Sequence, residues 1–229
     1  MALYAIGDLH LSLGADKPMD VFGGPWENYV EKIRLGFSAL HDEDVCVLCG
    51  DLAWGMTMEQ ALPDFQFIEA LPGKKILLKG NHDFWWSTAK KAYDFFEAHD
   101  MHTMDILNNN CYFYGDYAIC GTRGWFYEEA KGEAHDRKIM LREVGRLEAS
   151  LKAAGDKTKL VFLHYPPKYL GYECPEILQL LDAYHVPLCC YGHIHSRGCR
   201  SAFQGMYHDT EFRLLSADYI SFCPRRILP

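Results

Sequence analysis

Seven residues able to bind a metal ion stand at five places in this chain of 229 residues, each shortly after an apolar run. They are Asp8 and His10, Asp51, Asn81, His164, and the pair His193 and His195. Asp8 and His10 alternate at a strand end, so they share a face and reach one ion together. Asp51 offers a carboxylate able to bridge two ions, Asn81 a neutral oxygen, and the three later histidines imidazole nitrogens. A donor set of oxygen and nitrogen without thiolate suits manganese, iron or zinc better than magnesium or calcium. Seven ligands exceed the needs of one first-row ion and suit two. Two divalent ions roughly 3.5–4 Å apart clamp a phosphoryl group and make a nucleophile of bound water.

Hydrophobic patterning around these residues indicates the strands and helices that carry them. Leu3 to Ile6, Val45 to Cys49, Lys75 to Leu78, Leu160 to Leu163 and Leu188 to Tyr191 are short, apolar and rich in β-branched or aromatic residues, the pattern of buried strands. Parallel strands would bring their carboxyl ends, and the ligands after them, to one edge. Helical periodicity fills the intervals, at Trp26 to Leu40, Met58 to Ala70, Ser87 to His99, Ala134 to Ala154 and Pro175 to Ala183. Cys111–Tyr114 and Tyr117–Cys120 flank Gly115-Asp116 and predict a hairpin. Glu211 to Leu215 and Asp218 to Phe222 also read as strands, and Leu11 to Pro25 and Trp125 to Glu133 as long loops on the ligand edge. An α/β fold with a mixed sheet, or two packed sheets with helices outside, is expected, as one domain over residues 1–229.

In this order, Asp8-x-His10, Gly50-Asp51, Gly80-Asn81-His82-Asp83, His164 and Gly192-His193-x-His195 closely resemble the motifs of the calcineurin-like metallophosphoesterases. The resemblance implies two stacked mixed β-sheets flanked by α-helices, a four-layer sandwich. It implies that Asp8, His10 and His195 hold one metal, that Asn81, His164 and His193 hold the other, and that Asp51 lies between them. It further implies hydrolysis of a phosphodiester or phosphomonoester by hydroxide held on the two metals. His82 is then the catalytic residue that protonates the leaving oxygen, with Asp83 orienting its ring, since a carboxylate fixes a histidine's tautomer.

The protein serine/threonine phosphatases of that family carry Asp-Arg after the second motif and Glu in the third, whereas this chain has Ala53-Trp54-Gly55 and Asp83. The motif set looks more like the bacterial phosphodiesterase and small-molecule phosphohydrolase branches. Arg123, between Gly121-Thr122 and Gly124-Trp125, is a candidate fork for substrate phosphate, with a surface arginine in a structural turn as the alternative. The five tryptophans, with Tyr165, would form an aromatic rim for a stacked base or aryl group, or else pack helix starts onto the sheet. Other readings of the chain are a scaffold that has lost catalysis, a nuclease, or a mononuclear metalloenzyme.

Bulk properties narrow the partners. Hydrophobic residues make up 49% and charged residues 24%, and no run reaches membrane-spanning length, so disordered and membrane classes are excluded. A formal charge of −8, without a basic cluster, disfavours gripping nucleic acid by bulk charge, while a small phosphoester substrate remains open to it because bound metal would reverse the local field. The nine cysteines are odd in number and irregularly spaced, which predicts reduced, buried thiols. Cys46 and Cys49 have CxxC spacing, but three residues apart on a strand they point to opposite faces. A first strand beginning at the amino terminus without a basic leader predicts a cytoplasmic protein.

Overall fold

The computed structural model describes residues 1–126 and 133–229. Contacts divide the chain into two compact units, one of Met1–Ile106 with Leu215–Pro229, the other of Leu107–Leu214. Each has its own mixed sheet flanked by helices, as the fold class expected.

In the first unit the strands are β1 (Leu3–Ile6), β2 (Val45–Leu48), β3 (Lys74–Leu77), β4 (Met104–Ile106) and, from the far end of the chain, β13 (Arg225–Leu228). Their order is β13-β1-β2-β3-β4, parallel throughout except that β13 runs antiparallel along β1. Parallel neighbours need long crossovers. Helices α1 (Tyr29–Phe37), α2 (Leu62–Glu69) and α3 (Ala89–Ala98) supply them. Covered strands read as continuous apolar runs. Ile6, Leu48 and Leu77 accordingly lie in one core with Ile33, Phe37, Phe65, Ile68 and Phe96. Thr88 caps α3, its hydroxyl accepting from the Lys91 N–H at 3.2 Å. Lys75 is fully buried, and its ammonium donates to the Leu71 carbonyl at 2.7 Å and to that of Glu69 at 3.3 Å. Burial pulls its pKa down to about 8.

The second unit contains β5 (Cys111–Tyr114), β6 (Tyr117–Thr122), β7 (Thr158–Leu163), β10 (Leu188–Tyr191), β11 (Gly205–Tyr207) and β12 (Thr210–Leu214), in the order β11-β12-β10-β7-β6-β5. The four central strands are parallel and both edges are antiparallel hairpins. The predicted hairpin turns at Gly115, whose φ of 56° is in the region that favours glycine. Helices α4 (Glu133–Ala153) and α5 (Pro175–Ala183) flank this sheet, and a small ribbon of β8 (Lys168–Tyr169) and β9 (Tyr172–Glu173) leads into α5.

Some expectations are corrected. Asp218 to Phe222 is a chain of turns and no strand: Ser221 and Phe222 have φ of 57° and 58°, and the N–H of Phe222 returns to the Ala217 carbonyl at 2.7 Å. The buried Ile220 and Phe222 imitate strand alternation while anchoring that turn. The last strand is instead Arg225–Leu228. The first helix starts at Tyr29 because Gly24–Trp26 forms a 3₁₀ turn and Asn28 is left-handed. Most of the loop expected from Trp125 to Glu133 lies outside the described residues. All nine cysteines are free thiols, seven of them buried, Cys111 partly buried and Cys223 exposed. Among the described residues no helix is long and apolar enough to cross a membrane.

Candidate metal centre

In the first unit the ligand candidates follow β1, β2 and β3. Past β1 the backbone keeps pairing with the segment past β2: the N–H groups of Asp8, His10 and Leu11 donate to the carbonyls of Gly50, Asp51 and Leu52, each at 2.9 Å. Asp8 and His10 are brought together as expected, their ligand atoms within 4.8 Å of each other. Strand alternation is not the cause. Both residues are left-handed, with φ of 61° and 47°. Asp51 (φ 51°) is buried, and its carboxylate oxygen lies 3.7 Å from Nε2 of His10. Left-handed non-glycine residues cost roughly 1–3 kcal/mol each and persist where surroundings over-determine them.

The Gly80-Asn81-His82-Asp83 segment closes on Asp51. Oδ1 of Asp51 accepts the His82 N–H at 2.7 Å. Gly80 is obligatory, because a Cβ there would lie 2.1 Å from Asp51 Oδ1 and 2.2 Å from its backbone nitrogen. Asn81 sits half-buried in this segment, beside His82. The His82 ring lies 4.4 Å from Trp54 and 5.8 Å from His10, while Trp54 stacks on His10 at 5.1 Å. The Trp54 indole N–H is buried with no acceptor among the described residues.

Asp83 has a different task from the one expected of it. Its oxygens accept from the backbone N–H groups of Gly80 (2.7 Å), Leu52 (2.8 Å), Asp51 (2.9 Å) and Ala53 (3.3 Å), and from the Trp85 indole at 3.1 Å. With five donors from backbone and indole, the carboxylate ties the third-motif loop to the second-motif loop and does not orient the His82 ring. Burial raises its pKa, against the lowering effect of those hydrogen bonds.

In the second unit the candidates are imidazoles. His164, fully buried, follows β7; its N–H and that of Tyr165 both donate to the Arg123 carbonyl, at 3.2 and 2.9 Å. The His164 carbonyl accepts the Gly192 N–H at 3.1 Å, which places the turn after β10 alongside. There His193 is left-handed at φ 71°, and its ring meets that of His164 edge-on with centroids 5.1 Å apart. The ligand atoms of these two histidines lie within 4.8 Å of each other. Tyr165 packs on His193 at 4.5 Å. His195 is extended and caps the 3₁₀ turn Ser196–Ser201.

Arg123 is mostly buried. Its guanidinium lies 3.6 Å from Oε1 of the buried Glu143 and over the rings of Trp125 and Tyr165, at 5.1 and 5.9 Å. Glu143 also accepts from Thr122 and Arg146, each at 2.7 Å, and Nε of Arg123 is left without an acceptor among the described residues. Glu143 escaped the sequence reading because a lone acid in a helix carries no motif. Trp54 is the tryptophan that borders His10 and His82. Trp26, Trp85 and Trp125 are only 3%, 3% and 5% exposed, so most of their surface is spent in packing.

A family model described as calcineurin-like phosphoesterase matches residues 1–197. No curated protein matches the sequence. Among solved structures, TT1561 of Thermus thermophilus is similar with 15% identity and a TM-score of 0.60, covering 99% of this chain and 97% of that one. Phosphopantetheinyl hydrolase from Mycobacterium tuberculosis is similar at 15% identity and 0.59, over 100% and 96%. A protein of unknown function from Aquifex aeolicus, AQ665, is similar at 16% and 0.54, over 98% and 95%. At such identities the likeness is one of fold.

Proposed function

Since the chain belongs to the calcineurin-like phosphoesterase family, we propose that it is a dinuclear metal-dependent hydrolase of a small phosphomonoester or phosphodiester. The observation that carries this reading is the pairing, in each unit, of ligand candidates at strand ends: the buried Asp8, His10 and Asp51 in one, the buried His164 with the half-buried His193 in the other. Asp8, His10 and His195 would hold one divalent ion, Asn81, His164 and His193 the second, with Asp51 shared. The donor set fits manganese, iron or zinc, being carboxylate, amide and imidazole without thiolate. Such ions, when bound, supply Lewis-acid activation of water and of the phosphoryl oxygens.

The chain's own residues do the rest. His82 is anchored through its backbone N–H to Asp51 and walled by Trp54, so its ring stays near the shared carboxylate. From there it donates a proton to the departing oxygen. Arg123, steadied by Glu143, offers the exposed part of its guanidinium to a phosphoryl oxygen.

Hydrolysis of bis(4-nitrophenyl) phosphate and 4-nitrophenyl phosphate by metal-stripped protein, with and without Mn²⁺, tests the proposal. Manganese-dependent turnover lost in Asp51→Asn is expected. His82→Ala should slow esters with poor leaving groups far more than the nitrophenyl esters, because only the former need a proton. Equal loss on both would remove His82 from the acid role, and metal-independent turnover would overturn the whole reading.

A further inference from the structure

Cys111 and Cys120 stand directly opposite each other in the antiparallel hairpin of β5 and β6, at the edge of the second unit's sheet. The turn decides what kind of pair they make. Tyr114 and Tyr117 flank the two-residue turn and form the pair that exchanges N–H···O bonds. Antiparallel pairs alternate, so Phe113 with Ala118 lacks such bonds, Tyr112 with Ile119 has them, and Cys111 with Cys120 lacks them. Gly121, one residue further along β6, bears out the count. Its N–H is turned to the β5 side, where the Ser150 hydroxyl accepts it at 3.0 Å and donates in turn to the Asn110 carbonyl at 2.5 Å.

A cross-strand pair without hydrogen bonds is the close one, with Cα atoms about 4.5 Å apart and both side chains on one face. Disulfides span roughly 4.4–6.8 Å between Cα atoms, so this pair lies within reach of a bond. The sulfurs sense one another. Burial raises the pKa of both thiols, that of Cys120 to about 12; the nearby Cys111 raises Cys120 further, and the Lys159 ammonium draws both back. Their access to solvent differs. Cys111 is partly exposed on the edge strand, whereas Cys120 is fully buried, its thiol donating to the Ser150 carbonyl at 3.6 Å. Cys189 and Cys190, also on a strand, are neighbours that point to opposite faces.

We propose that Cys111 and Cys120 are a site of reversible oxidation, at which a peroxide installs a disulfide that fastens the edge strand β5 to β6. The Cys111 thiolate attacks one oxygen of hydrogen peroxide, the O–O bond breaks, and the departing oxygen takes a proton and leaves as water. The sulfenic acid formed on Cys111 is then attacked by the Cys120 sulfur. The S–S bond forms, the S–O bond breaks, and a second water carries off the Cys120 proton. Two thiols have given up two electrons, and the peroxide has gained them. A dithiol restores both thiols by exchange. The closed loop restricts the unfolded chain, so the oxidised protein is the more stable form. Neither cysteine is a candidate metal ligand, and the inference stands apart from the hydrolytic reading.

Residues 92–123 contain no lysine or arginine before Arg123, so trypsin releases both cysteines in one peptide. Protein carrying Cys223→Ser, which removes the exposed thiol, is treated with hydrogen peroxide, unfolded, alkylated, digested and analysed by mass spectrometry. That peptide should carry no alkyl group and be lighter by two hydrogens than the reduced peptide, and dithiothreitol should restore both alkylation sites. With Cys120→Ser added, Cys111 should instead advance to sulfinic or sulfonic acid, having no thiol to trap it. Thermal unfolding should come later in the oxidised protein than in the reduced one, a gain that Cys111→Ser removes. Two alkylated cysteines after peroxide, a bond from either to a third cysteine, or an oxidised protein that unfolds no later than the reduced one would overturn the proposal.

Discussion

The two units fix their ligand candidates by different means. In the first, Asp8, His10 and Asp51 are all left-handed, and a fully buried carboxylate, Asp83, ties the loops around Asp51 together through five donated hydrogen bonds. In the second, His164 and His193 are set by neutral peptide groups, the carbonyls of Arg123 and His164, and by ring packing with Tyr165. The same local device, a strand end followed by a sharp turn, thus carries carboxylates beside an imidazole in one unit and imidazoles alone in the other. Holding carboxylates side by side needs donors from every direction. Imidazoles need only be prevented from rotating.

Substitutions in each unit put this contrast to the test. The largest effect is expected from Gly80→Ala, whose methyl would collide with Asp51. It should abolish hydrolysis and lower stability by about 1–3 kcal/mol, as overpacking does, seen in steady-state kinetics beside thermal unfolding. Asp83→Ala should come next. Stranding buried N–H groups costs about 1–3 kcal/mol for each one water fails to reach, so Tm should fall by at least about 2–4 °C per kcal/mol lost in a chain of this size. If instead Asp83→Ala unfolds no earlier than the parent protein, the contrast between the units fails. Tyr165→Leu, the matching change in the second unit, removes ring packing from His193 and should weaken metal retention about 10–100-fold with a smaller change in Tm. Titration with a chelator measures the first and calorimetry the second.

The smallest effect is a pH dependence in the first unit. Asp64, buried in α2, accepts the Leu13 N–H at 2.7 Å, while its other oxygen has no partner among the described residues. Burial raises its pKa from 3.8 to about 6. The folded state therefore holds this proton more tightly than the unfolded chain. The contribution is fully present below the unfolded value and is lost as pH rises through the folded one, so stability should decline between about pH 4 and pH 6. Asp64→Asn should flatten that slope in Tm measured against pH; an unchanged slope would remove Asp64 as its source.

Much of this was legible in the sequence where one physical signal dominated. Leu3–Ile6 and Leu188–Tyr191 form strands with the bounds their apolar runs suggest, because strands covered on both faces admit little else. The grouping of Asp8 with His10 was legible too, although left-handed backbone and not alternation brings it about. What required three dimensions was the destination of hydrogen bonds. Asp83 is adjacent to His82 in sequence, yet three of its five partners are peptide groups about 30 residues away. The terminal turn was misread because Ile220 and Phe222 bury themselves from a left-handed bend, a conformation that no alternation pattern encodes.

The distribution of thiols has a practical consequence. Although nine cysteines are present, Cys223 alone is exposed, and burial pushes the thiols of Cys120 and Cys190 up to about 12. A maleimide reagent at neutral pH reacts with accessible thiolate, so the native protein should take up one equivalent quickly. A fluorophore or spin label can thus be attached near the carboxyl terminus without first deleting the other eight cysteines.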